Sequence, residues 1–369
     1  MSWLKTSEHR IKAAVFSLFR LFFRPGRPNS GLLDARRMTR VLFLRPEKIG
    51  DMVISLPVFD ALRSHYPHLK ISVLASPRNL ALIRNDPRFD RIFLYRKWTL
   101  EDFRQLAEIR RERFDCVFDM IDDDSVTTLF YSQLASPEAV RIGIGKRNHA
   151  RFYDFNYIHD DGVGDHIIDN TLKLLAPLGI KGASLSGFAA PHITPEASTR
   201  VKAFLESVPK EVKTLIGLNL SAGKPNRIWP DDRAVDLSRR LTGGAVDRHV
   251  VVIVAPGERS RGEKAVSQME KGVTLVPAGL DLIEVSALIS RLDLLISPDT
   301  SLIHIARSFG VPVVGLYSRA RKNFRRWQPY RQPDGSVVSS DIDAIHDITV
   351  DQVFDRVRQV LERVRTERA

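Results

Sequence analysis

Three stretches of the chain combine acids, cations and hydroxyls in spacings that suit chemistry on a phosphorylated ligand. In "IGDMVISLP" Gly50 and Asp51 follow the apolar run Val41–Leu44 and stand directly before a new helical pattern, with Lys48 just upstream. An acid at the carboxyl end of a first strand can take the proton of a hydroxyl while that oxygen attacks. The same carboxylate is also chemically sufficient as a helix N-cap. In "SPDTSLIHIARSFG" a strand end turns into a helix closed by Gly310. The backbone N–H groups of that helix start, with the hydroxyls of Thr300 and Ser301, make a ready site for a pyrophosphate. His304 lies one turn in. The plainer reading makes Asp299 or Thr300 an ordinary cap and His304 a satisfied, half-buried ring. In "LNLSAGKPNRIWP" Lys224 and Arg227 can neutralise a departing diphosphate, Arg with its planar fork of donors; the alternative is a solvated loop anchored by Trp229. A fourth stretch, "DMIDDDSV", sets Asp122, Asp123 and Asp124 together, either to hold Mg²⁺ or Mn²⁺ or as a solvated turn.

These stretches must be positioned by a chain of 369 residues, long enough for two domains of ordinary size. Hydrophobic content of 43% and charged content of 27% are those of a globular protein, neither disordered nor fibrous. The single cysteine, Cys116, excludes an intrachain disulfide and any C-x-x-C metal site, and points to a reducing, cytoplasmic setting. A net charge of +12 and a pI near 9.9 suit an anionic partner. Nucleic acid is set aside, because the basic residues are spread along the chain and no binding signature is present. A lipid surface or a phosphorylated ligand remains.

From Arg40 short apolar runs alternate with helical patterns, the signature of βαβ units and a parallel sheet. The first series predicts strands near 41–44, 70–75, 91–95, 116–119 and 139–144, with helices over 52–64, 77–85, 99–111 and 167–178. A second predicts strands near 215–220, 250–255, 273–276, 292–297 and 311–317, with helices over 231–241, 258–270, 283–290 and 302–309. The chain therefore divides into an N-terminal segment (1–38), a first Rossmann-like unit (39–190), a linker region (191–213), a second Rossmann-like unit (214–348) and a C-terminal helix (349–369). Two such units facing each other place a cleft at the carboxyl ends of their strands. Sugar transferases, epimerases and phosphorylases share that layout.

The N-terminal segment differs. A helical pattern from Ile11 to Phe23 sets Ala13, Ser17, Arg20 and Arg24 on one arc and Ile11, Val15, Leu18, Leu21 and Phe22 on the other, widened by Phe16, Phe19 and Phe23. It is charge-interrupted and shorter than the ~20 apolar residues of a membrane span. Residues 9–24 are expected either to lie in a membrane surface or to pack on the body of the protein.

At these blocks the chain resembles glycosyltransferase family 9, the ADP-heptose:lipopolysaccharide heptosyltransferases. The resemblance runs from about Arg40 to Leu361, through "IGDMVISLP", "RIG" at 141–143, "HIIDNTLKLLAPLGI" at 166–180, "LNLSAGKPNRIWP" and "SPDTSLIHIARSFGVPVVGLYS". It implies an α/β GT-B fold with acceptor on the first unit and nucleotide-sugar donor on the second. It also implies an inverting transfer without metal or other cofactor. By position, Asp51 matches the family's proposed general base, with Lys48 and Gly50 on the acceptor side. Ser221, Lys224, Arg227, Glu258, Asp299, Thr300, Ser301 and His304 fall in the donor-binding blocks. Ser301 stands where the family pattern has Gly, and Arg227 where it has Lys. The implied donor is ADP-heptose, and the implied acceptor is lipopolysaccharide core or another lipid-linked, anionic glycan. The place of work would be the cytoplasmic face of the inner membrane. A nucleotide-sugar epimerase of the same fold, or a membrane-bound scaffold without turnover, are the alternatives.

Overall fold

The computed structural model describes residues 23–28, 31–97, 99–158, 166–181, 185–243 and 247–368. In the first unit β1 (Arg40–Leu44) leads to α1 (Ile49–Val53) and α2 (Leu56–His65), then β2 (Lys70–Ala75), α3 (Pro77–Ile83), β3 (Arg91–Leu94), α4 (Leu100–Glu112) and β4 (Cys116–Asp119). After these come α5 (Val126–Ala135), β5 (Val140–Ile144), β6 (Phe155–Tyr157) and α6 (Ile167–Leu172), then α7 (Pro195–Leu205). The second unit runs β7 (Thr214–Asn219), α8 (Asp231–Thr242), β8 (Arg248–Ile253), α9 (Arg259–Val266), β9 (Val273–Leu275), α10 (Leu282–Ile289), β10 (Leu294–Pro298) and α11 (Ser301–Ser308). It ends with β11 (Val313–Tyr317), α12 (Arg321–Trp327), β12 (Ser336–Val338) and α13 (Val350–Arg368).

Both sheets are six-stranded and parallel, in the orders β3-β2-β1-β4-β5-β6 and β12-β11-β10-β7-β8-β9. Counted from its own first strand, each follows the doubly wound order, with its switch point between first and fourth strands. Strands buried on both faces read as continuous apolar runs: Val41, Leu42, Phe43 and Leu44 are all inaccessible to solvent. Phe43 stacks on Phe118 of the neighbouring strand, ring centroids 4.4 Å apart, and meets Phe59 of α2 edge-on. Val353, Val357 and Val360 seat α13 against Trp229 and Leu237 in the core of the second unit. Between the units, α7 packs along α10, tied by Arg200 to Glu284 at 2.8 Å.

Several elements differ from the sequence expectation. The helix predicted over 52–64 starts earlier and breaks after Val53, giving α1 and α2. The pattern over 167–178 is α-helical only to Leu172; Pro177 lies in the 3-10 turns that follow. Helices α5 and α12 and the short edge strands β6 and β12 were not anticipated. The stretch 11–22 of the proposed amphipathic helix lies outside the described residues. Its last positions do not face a membrane: Phe23 is buried edge-on against Phe130 and Phe152, and Arg24 exchanges hydrogen bonds with the Gln133 amide and donates to the Pro137 carbonyl. Among the described residues no helix is long and apolar enough to cross a membrane.

The units are joined at several points by α12 and the segment that follows it. The Tyr330 hydroxyl donates to Asp169 at 2.7 Å, His166 Nε2 donates to the Gln328 carbonyl at 2.9 Å, and Arg326 pairs with Asp122.

Candidate functional site

Between the two switch points lies a cavity of about 720 Å³. From the first unit it is lined by Lys48, Ile49, Gly50, Asp51 and Arg78; from the second by Gly223, Lys224, Arg227, Asp299, Thr300, Ser301, His304 and Trp327. The loops after β1 and β2 supply one wall. Those after β7, β10 and β11 supply the other, as expected where ligands bind outside the carboxyl ends of strands.

Asp51 is not the N-cap of its helix. That position belongs to Lys48, and Asp51 is the third helical residue, whose Oδ2 accepts the Lys48 backbone N–H at 3.1 Å. This is the return arm of a capping box. Its Oδ1 stands 3.9 Å from Nη2 of Arg45. Arg45 itself is buried and braces the turn: Nε donates to the Asp51 carbonyl at 3.0 Å, and Nη1 to Glu47 at 2.7 Å and the Met120 carbonyl at 2.5 Å. The Ser55 hydroxyl donates to the same Asp51 carbonyl at 2.7 Å. Glu47 is pushed above the ordinary carboxyl range by burial, with Asp51 and Asp119 adding like charge, against the attraction of Arg45. Asp51 keeps 15% of its side-chain surface open to the cleft. It is both fixed and reachable.

On the opposite wall Thr300 caps α11, its hydroxyl accepting the Leu302 N–H at 3.3 Å. Asn219, at the end of β7, donates to Ser297 at 2.9 Å and to Thr300 at 3.4 Å, locking the loop to the strand beside it. Arg227 pairs with Asp299 at 2.6 Å. Burial raises the Asp299 carboxyl above its ordinary range, opposed by the charges of Arg227 and of Lys48 from the other unit. His304 is deeply buried, which, with the charge of His166, drives its pKa down to about 3, so it is neutral near pH 7. Its Nδ1 has no hydrogen-bond partner among the described residues, and its ring lies 5.6 Å from that of Trp327.

The units touch where α1 and α11 begin. A Cβ on Gly50 would sit 3.6 Å from the His304 ring and 3.7 Å from the Ser301 Cβ, ordinary contact distances. Ser301 therefore fits its place facing the glycine across the interface.

The structure thus gathers Lys48, Gly50, Asp51, Lys224, Arg227, Asp299, Thr300, Ser301 and His304 around one cavity. Ser221 and Glu258 are not among its lining. They bond each other at 2.8 Å, and Glu258 also accepts from Arg261 at 2.8 Å. The aspartate run after β4 serves as an anchor: Asp122 pairs with Arg326. Asp124 accepts the backbone N–H groups of Arg147, Asn148 and His149. Burial works to raise the Asp124 carboxyl, and those bonds outweigh it and hold it low. No group of three metal-ligating side chains is assembled among the described residues. Arg78 and Trp327 escaped the sequence reading. The first follows the carboxyl end of β2 beside the switch point, a position that the strand order would have flagged. The second sits at the end of a helix whose existence the sequence did not signal.

Two facing doubly wound units with a ligand cleft between their switch points define the GT-B architecture. The family model for glycosyltransferase family 9 (heptosyltransferase) matches residues 103–357, and the chain belongs to that family: it is a glycosyltransferase. It is 22% identical over 304 residues, 80% of this chain and 82% of the relative, to the lipopolysaccharide core heptosyltransferase OpsX of Haemophilus influenzae. Its fold matches a family 9 glycosyl transferase from Veillonella parvula at TM-score 0.74 and 21% identity, over 90% of this chain and all of that one. It also matches the ADP-heptose heptosyltransferase II of Escherichia coli at TM-score 0.70 and 17% identity, over 89% of this chain and all of that one.

Proposed function

We propose that the chain transfers a sugar, with inversion, from a nucleotide-sugar to a lipopolysaccharide-core or other lipid-linked glycan at the cytoplasmic face of the inner membrane. The observation that carries this reading is the opposition across one cavity of a fixed carboxylate, Asp51, and a positively polarised wall, Arg227 with the start of α11. The donor lies on the second unit. Its diphosphate is met by the α11 N–H groups, Arg227 and Lys224, electrostatic stabilisation that takes the place of a metal. Asp51 accepts the proton of an acceptor hydroxyl, whose oxygen attacks the anomeric carbon from the face opposite the diphosphate. Four cations, Lys48, Arg78, Lys224 and Arg227, share the lining with two carboxylates and a neutral His304, a balance suited to a diphosphate that gains negative charge as it leaves. The names of the relatives support heptose as the sugar and ADP-heptose as the donor.

Asp51→Asn tests the assignment, because it keeps the shape and the amide oxygen can still accept the Lys48 N–H. Transfer from ADP-heptose to detergent-dispersed core lipopolysaccharide should fall by about 10²–10⁴-fold, with donor affinity by calorimetry unchanged. Retained turnover would remove Asp51 from the mechanism, and conversion of the donor with no acceptor present would indicate epimerase chemistry instead.

A further inference from the structure

Helix α4 carries an outward face whose composition the transfer reaction does not use. At 100° per residue, Leu100, Phe103, Arg104, Ala107, Arg110 and Arg111 fall within one arc of about a third of the helix circumference. Leu100 is 80% exposed and Phe103 55%, two of only five large apolar side chains more than half exposed among the described residues. The arc contains no acid. The helix's glutamates lie on its other flank and are engaged there: Glu101 with Arg96 at 3.2 Å, Glu108 with Arg91 at 2.8 Å, and Glu112 with Arg40 at 3.5 Å. Arg104, Arg110 and Arg111 form no ion pair among the described residues, nor do the flanking Lys97 and Arg113.

The face is rigidly held. Asp102 is buried and accepts the backbone N–H groups of Arg96 and Thr99, closing the capping box that starts the helix. Ile109 is buried, and Leu106 packs against the core beside Phe93 and Phe114. Because α4 begins after the carboxyl end of β3, Leu100 and Phe103 lie at the cleft side of the first sheet, the side on which Asp51 follows β1. Apolar side chains flanked by unpaired cations on one helix face suit the headgroup–acyl boundary of an anionic bilayer. Nucleic acid would engage the arginines but leave Leu100 in water.

We propose that this face of α4 is a docking surface for an anionic phospholipid bilayer, with Leu100 and Phe103 inserted and Arg104, Arg110 and Arg111 on the headgroups. The proposal rests on the reading that the acceptor is lipid-linked, since docking there would present the cleft to a membrane-borne glycan.

The full chain is cosedimented, without donor or acceptor, with vesicles of phosphatidylethanolamine and phosphatidylglycerol, and with phosphatidylcholine vesicles as the neutral comparison. Wild type should favour the anionic vesicles, more strongly at low salt. Leu100→Ser with Phe103→Ser should weaken binding about tenfold. Arg104→Glu with Arg110→Glu and Arg111→Glu should weaken it about a hundredfold. Binding equal to wild type in both variants, equal binding to neutral vesicles, or an equally tight single-stranded RNA complex lost in the same variants would each overturn the proposal. Transfer to detergent-dispersed acceptor should be unchanged in both variants. Its absence in wild type would count against the transfer reading and leave the vesicle result standing.

Discussion

The two switch points sit in sheets of the same strand order, yet they are built for opposite charge. After β1 the chain makes a helix of five residues whose start is closed by its own acid, Asp51, and pinned from behind by buried Arg45. After β10 it makes a helix of eight residues capped by a neutral hydroxyl, Thr300, with a cation, Arg227, brought in from the loop after β7. A carboxylate in the first turn cancels the positive end of its helix; a hydroxyl leaves it available to a ligand. The shared fold supplies two facing helix starts, one neutralised by an acid in its own first turn and one left uncompensated beneath a hydroxyl cap.

The largest test of this contrast is Arg227→Ala. It removes the cation and leaves Asp299 facing the proposed diphosphate site, so kcat should fall about 10²–10³-fold and donor affinity should weaken. Adding Asp299→Asn should recover part of both, since the uncompensated acid is then gone. Kinetics of the single and double variants give the coupling.

On the other side, Arg45→Met removes a buried guanidinium from Glu47 and from the Asp51 and Met120 carbonyls. Leaving such partners unmatched costs about 3–5 kcal/mol. Denaturant unfolding should show that loss, and kcat should drop more than the donor KM changes, because the proposed base, Asp51, loses its position rather than the donor its contacts.

Acid should separate the walls as well. His304 has a folded pKa near 3, below its ordinary value, and burial also lowers His149, His166 and His249. A depressed histidine contributes stability that is present above its unfolded pKa and lost as pH falls through the window toward the folded value. The unfolding midpoint should therefore decline from about pH 6.5 downward. Raised Asp299 and Glu47 act oppositely, easing the loss as pH falls through their raised range. His304→Gln should flatten the acid limb. The smallest effect belongs to Ser301→Gly, which removes the side chain packed against Gly50 and places a glycine in the first turn of α11. A stability loss of about 1 kcal/mol is expected, with transfer retained.

Much of this was legible beforehand. The apolar runs of β1, β7 and β10 could be placed because strands buried on both faces carry no alternation to misread. The cleft residues Asp51, Arg227, Asp299, Thr300 and His304 were found because chemistry at strand ends is local in sequence. Helix α5, "VTTLFYSQLA", was not found: Val, Thr, Phe and Tyr favour strands, and it is set as a helix by the Ser125 cap and by its packing. The family-like block "RIG" turned out to be structural, for Arg141 is fully buried and donates to the Ser132 and Pro137 carbonyls. No spacing rule distinguishes that arginine from one in a cleft.

By itself the sequence determined two doubly wound units, the loops that carry acid and cation, and an excess of positive charge, since each follows from local pattern or composition. The tertiary structure alone decided that Asp51 is the arm of a capping box and that Ser221 and Glu258 stand off the cavity wall. It also showed that the aspartate run is a loop anchor and that Arg78 and Trp327 complete the cleft. Those outcomes depend on contacts between residues far apart in the chain, where burial and partner, rather than residue type, fix what a side chain does.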